Sequence, residues 1–242
     1  MRVAPAARAD AGLPGRAPPG SSLPSTTIEG VTDSIAPIPD VCETSDDLRA
    51  IYKQPSRNAV VKDLGRIDRH ARRFIEQSPF LCLGTMSPEG LGDVTPRGGE
   101  PGFVHVLDDR HLAMPDRPGN NRLDTLTNLV RNPGLGLLFF IPGFEDLLRV
   151  NGTGRVTTDP ELMARFVAHE KAPRSVLVIE VREVYMHCPK AVRRARLWER
   201  ESWPDRSSFP TMGEVYRDQL TLEGEAAEID ARLEEGNRST LW

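Results

Sequence analysis

Residues 135–156 read LGLLFFIPGFEDLLRVNGTGRV, and this pattern sets the class of fold. The run from Leu135 to Ile141 is apolar throughout, which is typical of a strand covered on both faces. Pro142 and Gly143 favour a turn, and residues 147–156 return as a second strand whose glycines suit a bulge or a bend. The pattern therefore predicts two connected strands inside a sheet.

Strand patterns continue on both sides of this pair. Apolar or alternating segments bounded by turn residues predict four more strands: residues 80–85, residues 93–107 with an interruption at 96–102, residues 111–115 and residues 175–186. A six-stranded antiparallel β-barrel with covering helices, of the α+β class, accounts for this order. A doubly wound α/β sheet would need a helix after nearly every strand.

Between the strands, apolar residues recur at steps of three and four, which predicts helices. A short helix opens at Asp46, and a longer one is expected over residues 58–77. A third helix starts at residues 119–120, and a fourth runs from the N-cap Asp159 to near His169.

The two ends of the chain differ from its middle. Residues 1–40 hold seven of the 21 prolines and no aromatic residue, so residues 1–45 are predicted to be a disordered leader. Those prolines break the apolar stretch that a signal peptide needs. Residues 46–198 are expected to form the main domain. Residues 199–242 carry eleven acidic residues and an apolar stripe, which predicts an acidic helical tail packed on the barrel or on a second subunit.

Charge and cysteine content exclude several classes of protein. A net charge of −4 gives no pull toward nucleic acid or an anionic membrane, and no apolar run approaches the about 20 residues of a membrane-spanning helix. Three cysteines without CxxC spacing fit a reducing cytoplasm. The five histidines lack HxH or HxxxH spacing, which predicts no metal site.

The sharpest candidate site lies where a strand end meets a helix start. Free backbone amides and the helix dipole favour an anion there, and amide or guanidinium groups suit phosphate oxygens. The candidate binding residues in this segment are Asp116, Arg117, Asn120, Asn121 and Arg122, and the two asparagines and two arginines among them are the donors suited to a phosphate. An ordinary structural interpretation also fits, in which Asn120 is only an N-cap and the arginines face solvent.

Two further segments are candidate cofactor contacts. Thr95, Pro96, Arg97 and Gly98 suit a flat ligand, because glycine lets the backbone come close and Arg97 offers a charge, although an ordinary strand bulge explains them too. Lys190, Arg194 and Trp198 combine cations with an aromatic ring and are candidates to contact a redox ring, with a solvated basic helix as the alternative. Cys188 is assigned no catalytic role, because proline follows it and no base is evident.

Taken in order, these motifs resemble those of the pyridoxamine 5′-phosphate oxidase-like FMN-binding split-barrel family, and in particular a bacterial subgroup of it. The resemblance covers residues 46–198 and rests on VTPRG at 94–98, PDRPGNNRLD at 115–124, LLRVNG at 147–152 and HCPKA at 187–191. Ala195 departs from the pattern, because relatives usually carry serine there.

The resemblance implies a fold, a cofactor and an assembly. It implies a six-stranded split barrel that forms a homodimer with FMN at the subunit interface. The phosphate would lie against residues 120–122 with help from Arg97, and the flavin ring along residues 94–98. The segment from Lys190 to Trp198 would reach the ring from the other subunit.

The function implied is an FMN-dependent oxidoreductase that acts on a small molecule. Two alternatives use the same fold: a flavin- or haem-binding protein without catalysis, and a reductase that uses the deazaflavin F420. Arg193, Arg194 and Arg196 offer a basic surface for the more acidic tail of F420. No residue pattern identifies the substrate or the electron donor.

Overall fold

The computed structural model describes residues 39–242, which divide into residues 39–54 and residues 55–242. In the first unit, helix α1 (Ser45–Ile51) begins within one residue of the predicted Asp46. The Thr44 hydroxyl accepts from the Asp47 amide, and the Asp47 carboxylate accepts from the Thr44 amide at 2.8 Å. This capping box satisfies amides that a short helix leaves free. The predicted leader lies outside the described residues as far as position 38.

One antiparallel sheet of seven strands forms the centre of residues 55–242. The strands are β1 (Phe80–Met86), β2 (Gly92–Gly98), β3 (His105–Val106), β4 (His111–Asp116), β5 (Gly134–Phe140), β6 (Leu147–Thr157) and β7 (Ser175–His187). Their order across the sheet is β2-β1-β5-β6-β7-β4-β3. The predicted antiparallel sheet with covering helices is confirmed, and the strand pair of residues 135–156 lies at its middle.

The prediction of a six-stranded barrel is not confirmed. Residues 93–107, expected to be one interrupted strand, contribute β2 and β3, which lie at opposite edges of the sheet. Within residues 39–242 no ladder joins these two edges. The break comes after Gly98, because Phe103 donates to the Glu100 carbonyl at 3.0 Å and Gly102 adopts φ +85°, a turn that favours glycine. Pro96 has no amide hydrogen to donate to a neighbouring strand. It is tolerated in β2 because β2 is an edge strand, where some backbone amides face away from the sheet.

The sheet nevertheless curls strongly. Arg97 on β2 and Asp116 on β4 belong to strands near opposite ends of the strand order, yet Arg97 Nη1 lies 3.1 Å from Asp116 Oδ1. Fully buried side chains form the core of this curved sheet, and the largest of them are Phe139, Ile75, Leu81, Leu83, Leu112, Leu137, Leu148 and Ile179. The curl therefore brings the ends of β2 and β4 together over one core.

Residues 55–242 also form seven α-helices: α2 (Arg57–Val61), α3 (Arg69–Gln77), α4 (Asp124–Arg131), α5 (Pro160–Ala164), α6 (Lys190–Ala195), α7 (Met212–Leu220) and α8 (Ala226–Ser239). The prediction of one helix over residues 58–77 is wrong. The chain breaks between α2 and α3, because Asp63 Oδ1 accepts from the Gly65 and Val184 amides at 3.0 Å each, and Asp68 then caps α3. In the described part of the chain, no helix is both long enough and apolar enough to cross a bilayer.

The predicted apolar stripe of the tail is only partly buried. Helices α7 and α8 pack against each other, with Ile229 buried and the Asp230 carboxylate accepting from the Gly213 amide at 2.7 Å. Leu222, by contrast, stays exposed. The helical hairpin therefore covers the stripe only in part.

Candidate cofactor cleft

A cleft of about 1020 Å³ lies where the curl brings β2 close to the end of β4. Its walls are β2, the loop between β4 and α4, and the first turn of α4. Nine of the twelve predicted contact residues line it: Thr95, Pro96, Arg97, Gly98, Asp116, Arg117, Asn120, Asn121 and Arg122. Two segments predicted separately from the sequence thus form one site, whose size is near the upper end of small-molecule pockets.

The start of α4 faces this cleft without a side-chain cap. The helix begins at Asp124 rather than at residues 119–120 as predicted. Its N-cap residue is Leu123, whose apolar side chain cannot accept a hydrogen bond from the first amides of the helix. Asn120 is therefore not the N-cap; its Oδ1 accepts from the Arg122 amide at 3.1 Å. Asn121 and Leu123 adopt φ +59° and +62°, a region that asparagine tolerates but that strains leucine. A strained loop that ends on free helix amides is suited to an anion.

Arg97 is a partly enclosed cation of the cleft. Its side chain is 23% exposed, and its Nη1 pairs with Asp116 at 3.1 Å. Its Nε is buried and meets no hydrogen-bond partner in the described residues. A buried donor without a partner costs free energy, and such groups are uncommon in protein structures outside functional sites.

Arg117 and Arg122 differ in what they already bind. Arg117 Nη2 donates to the Phe166 carbonyl at 2.6 Å and Nη1 to the Lys171 carbonyl at 3.3 Å, while burial lowers the pKa of its guanidinium. Arg122 is exposed, and its Nε donates to Asp124 at 2.7 Å, a hydrogen bond that raises its pKa. Arg117 therefore supports the loop, whereas Arg122 keeps its terminal nitrogens for a ligand.

A polar network fixes α4 to the sheet beside the cleft. Asp93 on β2 accepts from the Thr125 hydroxyl at 2.8 Å, and Asn128 donates to the Thr85 hydroxyl at 3.1 Å. Thr125, Thr85 and Asn128 are buried, so these bonds are shielded from water. The network sets where the free amides of α4 point.

Sequence reasoning missed several residues of this cleft. Arg174 Nη1 donates to Asn121 Oδ1 at 2.8 Å and so anchors the loop. A basic residue directly before the buried strand β7 was a weak signal for it. Trp242 also lines the cleft, and nothing in the local pattern of the tail indicated this.

Lys190, Arg194 and Trp198 do not line this cleft. Lys190 and Arg194 lie on α6 with exposed side chains, and Trp198 donates its Nε1–H to the Phe144 carbonyl at 2.7 Å. Within one chain, the third predicted segment is therefore separate from the first two.

The electrostatics of the cleft suit an anionic ligand. The charged side chains along it are four arginines and three aspartates, so the balance is positive. Backbone amides of α4 add to that potential. No group of three or more histidine, cysteine, aspartate or glutamate side chains in residues 39–242 is placed to hold a metal ion.

Comparison with known proteins gives one family match and several structural similarities. The profile of the pyridoxamine 5′-phosphate oxidase family matches residues 67–188. HupZ from group A Streptococcus is 16% identical over 49% of this chain and 91% of its own, with a TM-score of 0.41. General stress protein 26 from Bacillus anthracis is 17% identical over 47% and 88%, with a TM-score of 0.37. A FAD-binding protein from Mycobacterium smegmatis is 11% identical over 51% and 97%, with a TM-score of 0.36. A search of curated proteins gave no match.

Proposed function

The chain belongs to the pyridoxamine 5′-phosphate oxidase family, and from this premise we propose that it is an FMN-dependent oxidoreductase that acts on a small molecule. The observation that carries the proposal is the cleft itself. It joins Arg97, with its unpartnered buried Nε, to the uncapped start of α4, and both lie inside the region that matches the family. A planar ligand with an anionic end fits such a site.

The residues of the cleft fit a flavin mononucleotide. Arg122, Asn120 and the amides at the start of α4 would hold the phosphate. They combine a positive helix end with a guanidinium that uses only its Nε on Asp124. Thr95, Pro96 and Gly98 would lie along the ring. The chemistry that FMN supplies when bound is hydride transfer between its ring and a substrate. The Arg97 guanidinium would hold negative charge that develops beside it, in a region partly shielded from water.

We further propose a homodimer. Large apolar side chains are exposed on the edge strand β2, the turn before it and the neighbouring α4: Leu91 at 66%, Val94 at 72% and Val130 at 77%. Apolar patches of this kind are typical of protein interfaces, and a second copy on β2 would also cover a strand edge. In the dimer, Lys190, Arg194 and Trp198 would contact the cofactor of the other subunit.

Residues 46–198 would then be the flavin-binding domain and residues 199–242 its tail.

The first experiment is an absorption spectrum of the purified protein, with identification by mass spectrometry of any compound released on heating. A flavin spectrum that bleaches under dithionite, with FMN released, supports the proposal. Turnover with a reduced nicotinamide and an electron acceptor separates an enzyme from a storage protein. A colourless protein that does not bind added FMN contradicts the proposal, and F420 and haem would then be titrated instead.

A further inference from the structure

Trp242 lies in the wall of the cleft although it follows the helical tail. Three contacts hold it there. Lys171 Nζ donates to the Trp242 carbonyl oxygen at 2.7 Å, and the His169 ring lies 4.3 Å from the indole ring, centroid to centroid. The Arg117 guanidinium lies 5.6 Å from the same indole ring. Because three groups fix it, the indole is a defined part of the cleft.

The turn that presents His169 and Lys171 is itself unusual. Ala168 and Lys171 form an isolated antiparallel bridge, and the two residues between them, His169 and Glu170, adopt φ +49° and +62°. Glycine or asparagine would adopt these angles at lower cost. Strained positions persist where the surroundings hold them, and here the surroundings include the indole.

The indole meets the cleft as a wall rather than as a free stacking surface. His169 and Arg117 both already contact its ring. Arg117 is in turn held by the Phe166 and Lys171 carbonyls, so one of the groups that contact the indole is itself fixed. A ligand that extends along the cleft as far as the indole must displace Trp242 or stop short of it.

We propose that Trp242 is a specificity-determining residue that limits the length of the flavin, so that the cleft accepts a mononucleotide and rejects a dinucleotide. This inference rests on the proposed flavin site. FAD carries an adenosine monophosphate beyond the phosphate that FMN has, and this group needs space next to the phosphate-binding loop. With the indole against Arg117, that space is reduced. Specificity of this kind is a difference of affinities created by steric exclusion of the longer ligand.

The test compares dissociation constants for FMN and FAD, measured by flavin fluorescence on the full chain. The unaltered protein is expected to bind FMN more tightly than FAD by about tenfold or more. In Trp242→Ala, the ratio of the FAD constant to the FMN constant is expected to fall by about tenfold, whereas Trp242→Phe keeps a ring and should keep most of the ratio. Trp203→Ala, at an exposed tail tryptophan outside the cleft, is the matched control and should not change it.

Each other outcome overturns the inference in a distinct way. If Trp242→Ala binds FMN normally and keeps the same ratio of FAD to FMN dissociation constants, Trp242 does not determine flavin specificity, whereas the proposed flavin site is still supported. If Trp242→Ala weakens the binding of FMN and FAD equally, Trp242 contacts both flavins without discriminating between them, and the inference is wrong. If the unaltered protein binds neither flavin, the proposed function fails and this inference fails with it. His169→Ala, which removes the ring beside the indole, should lower the ratio in the same direction and covers the case in which Trp242→Ala does not fold, as judged by circular dichroism.

Discussion

At the scale of single residues, the arginines of the cleft divide by burial. Arg97 and Arg117 are partly enclosed and already hold Asp116 or backbone carbonyls. Arg122 is exposed and bound only to its neighbour Asp124. An exposed guanidinium at the start of a helix contributes little to the stability of the fold, and a ligand phosphate would be a suitable partner for it.

Arg122→Ala should therefore weaken FMN binding without affecting folding. The loss of one charge-assisted hydrogen bond to phosphate is worth about 1.5–3 kcal/mol, or about 10- to 150-fold in the dissociation constant. Titration of the apo-protein with FMN measures it. Arg131→Ala, at the other end of α4 and paired with Glu89 outside the cleft, is the control and should bind FMN normally. Unchanged affinity in Arg122→Ala would refute the phosphate assignment.

His105 should make stability depend on pH. Burial, and to a smaller degree the charge of Arg165, lowers the pKa of His105, so the folded state holds the proton less tightly than the unfolded chain. The stability that comes from keeping His105 neutral is fully present above the pKa of an unfolded histidine, about 6.5. It is lost as the pH falls from there to the lower pKa of His105 in the folded protein. Burial also lowers the pKa of His187, which therefore changes the stability in the same direction.

His105→Phe keeps a ring against Phe166, whose centroid lies 4.1 Å away, and removes the titration. The free energy of unfolding should then fall less steeply than in the unaltered protein between about pH 7.5 and about pH 5.5. Urea unfolding at both pH values measures the two slopes. Equal slopes would mean that His105 is protonated as easily in the folded state as in the unfolded one.

At the scale of elements, the ladder between β6 and β7 carries a bulge beside the glycines of residues 147–156, whose pattern suited a bulge or a bend in β6. Asn151 pairs with Glu183 and Gly152 with Val181, so the extra residue, Arg182, lies on β7 rather than on β6. A Cβ at Gly152 would overlap the Glu180 carbonyl oxygen of the neighbouring strand. Glycine is needed there because the bulge brings two backbones too close for any side chain.

Gly152→Ala should destabilise the protein by about 1–3 kcal/mol, because the overlap forces the strands apart. Chemical denaturation measures the change. The matched control is Gly236→Ala on α8, where a Cβ meets no atom within 4 Å and alanine favours the helix by about 1 kcal/mol. A Gly152→Ala protein as stable as the parent would show that the bulge relaxes freely.

At the scale of the whole molecule, curling the sheet creates the cleft but leaves apolar side chains of β2 and α4 in solvent. A second copy packed there would cover them, and a stable interface needs about 1,200–2,000 Å² in total. The placement proposed for Lys190, Arg194 and Trp198 requires in addition that α6 of one subunit lies beside the cleft of the other.

Val130→Asp should convert the proposed dimer to a monomer, because a carboxylate buried in an apolar interface has no partner. Sedimentation velocity is expected to show half the mass of the unaltered protein. Val167→Asp makes the same change at an exposed valine away from β2 and α4 and should leave the dimer intact. A mass that does not change in Val130→Asp, or an unaltered protein that is already monomeric, would place no interface on this face.

Local patterns in the sequence determined a large part of this molecule. The paired strands of residues 135–156 and the N-cap Asp159, which accepts from the Leu162 amide at 2.8 Å, follow from turn chemistry and spacing within a few residues. The tertiary structure alone decided the seven-stranded order, the break between α2 and α3, the meeting of Arg97 with Asp116 and the position of Trp242. These features join groups far apart in the chain through packing and curvature of the sheet, and the spacing of neighbouring residues carries no record of such contacts.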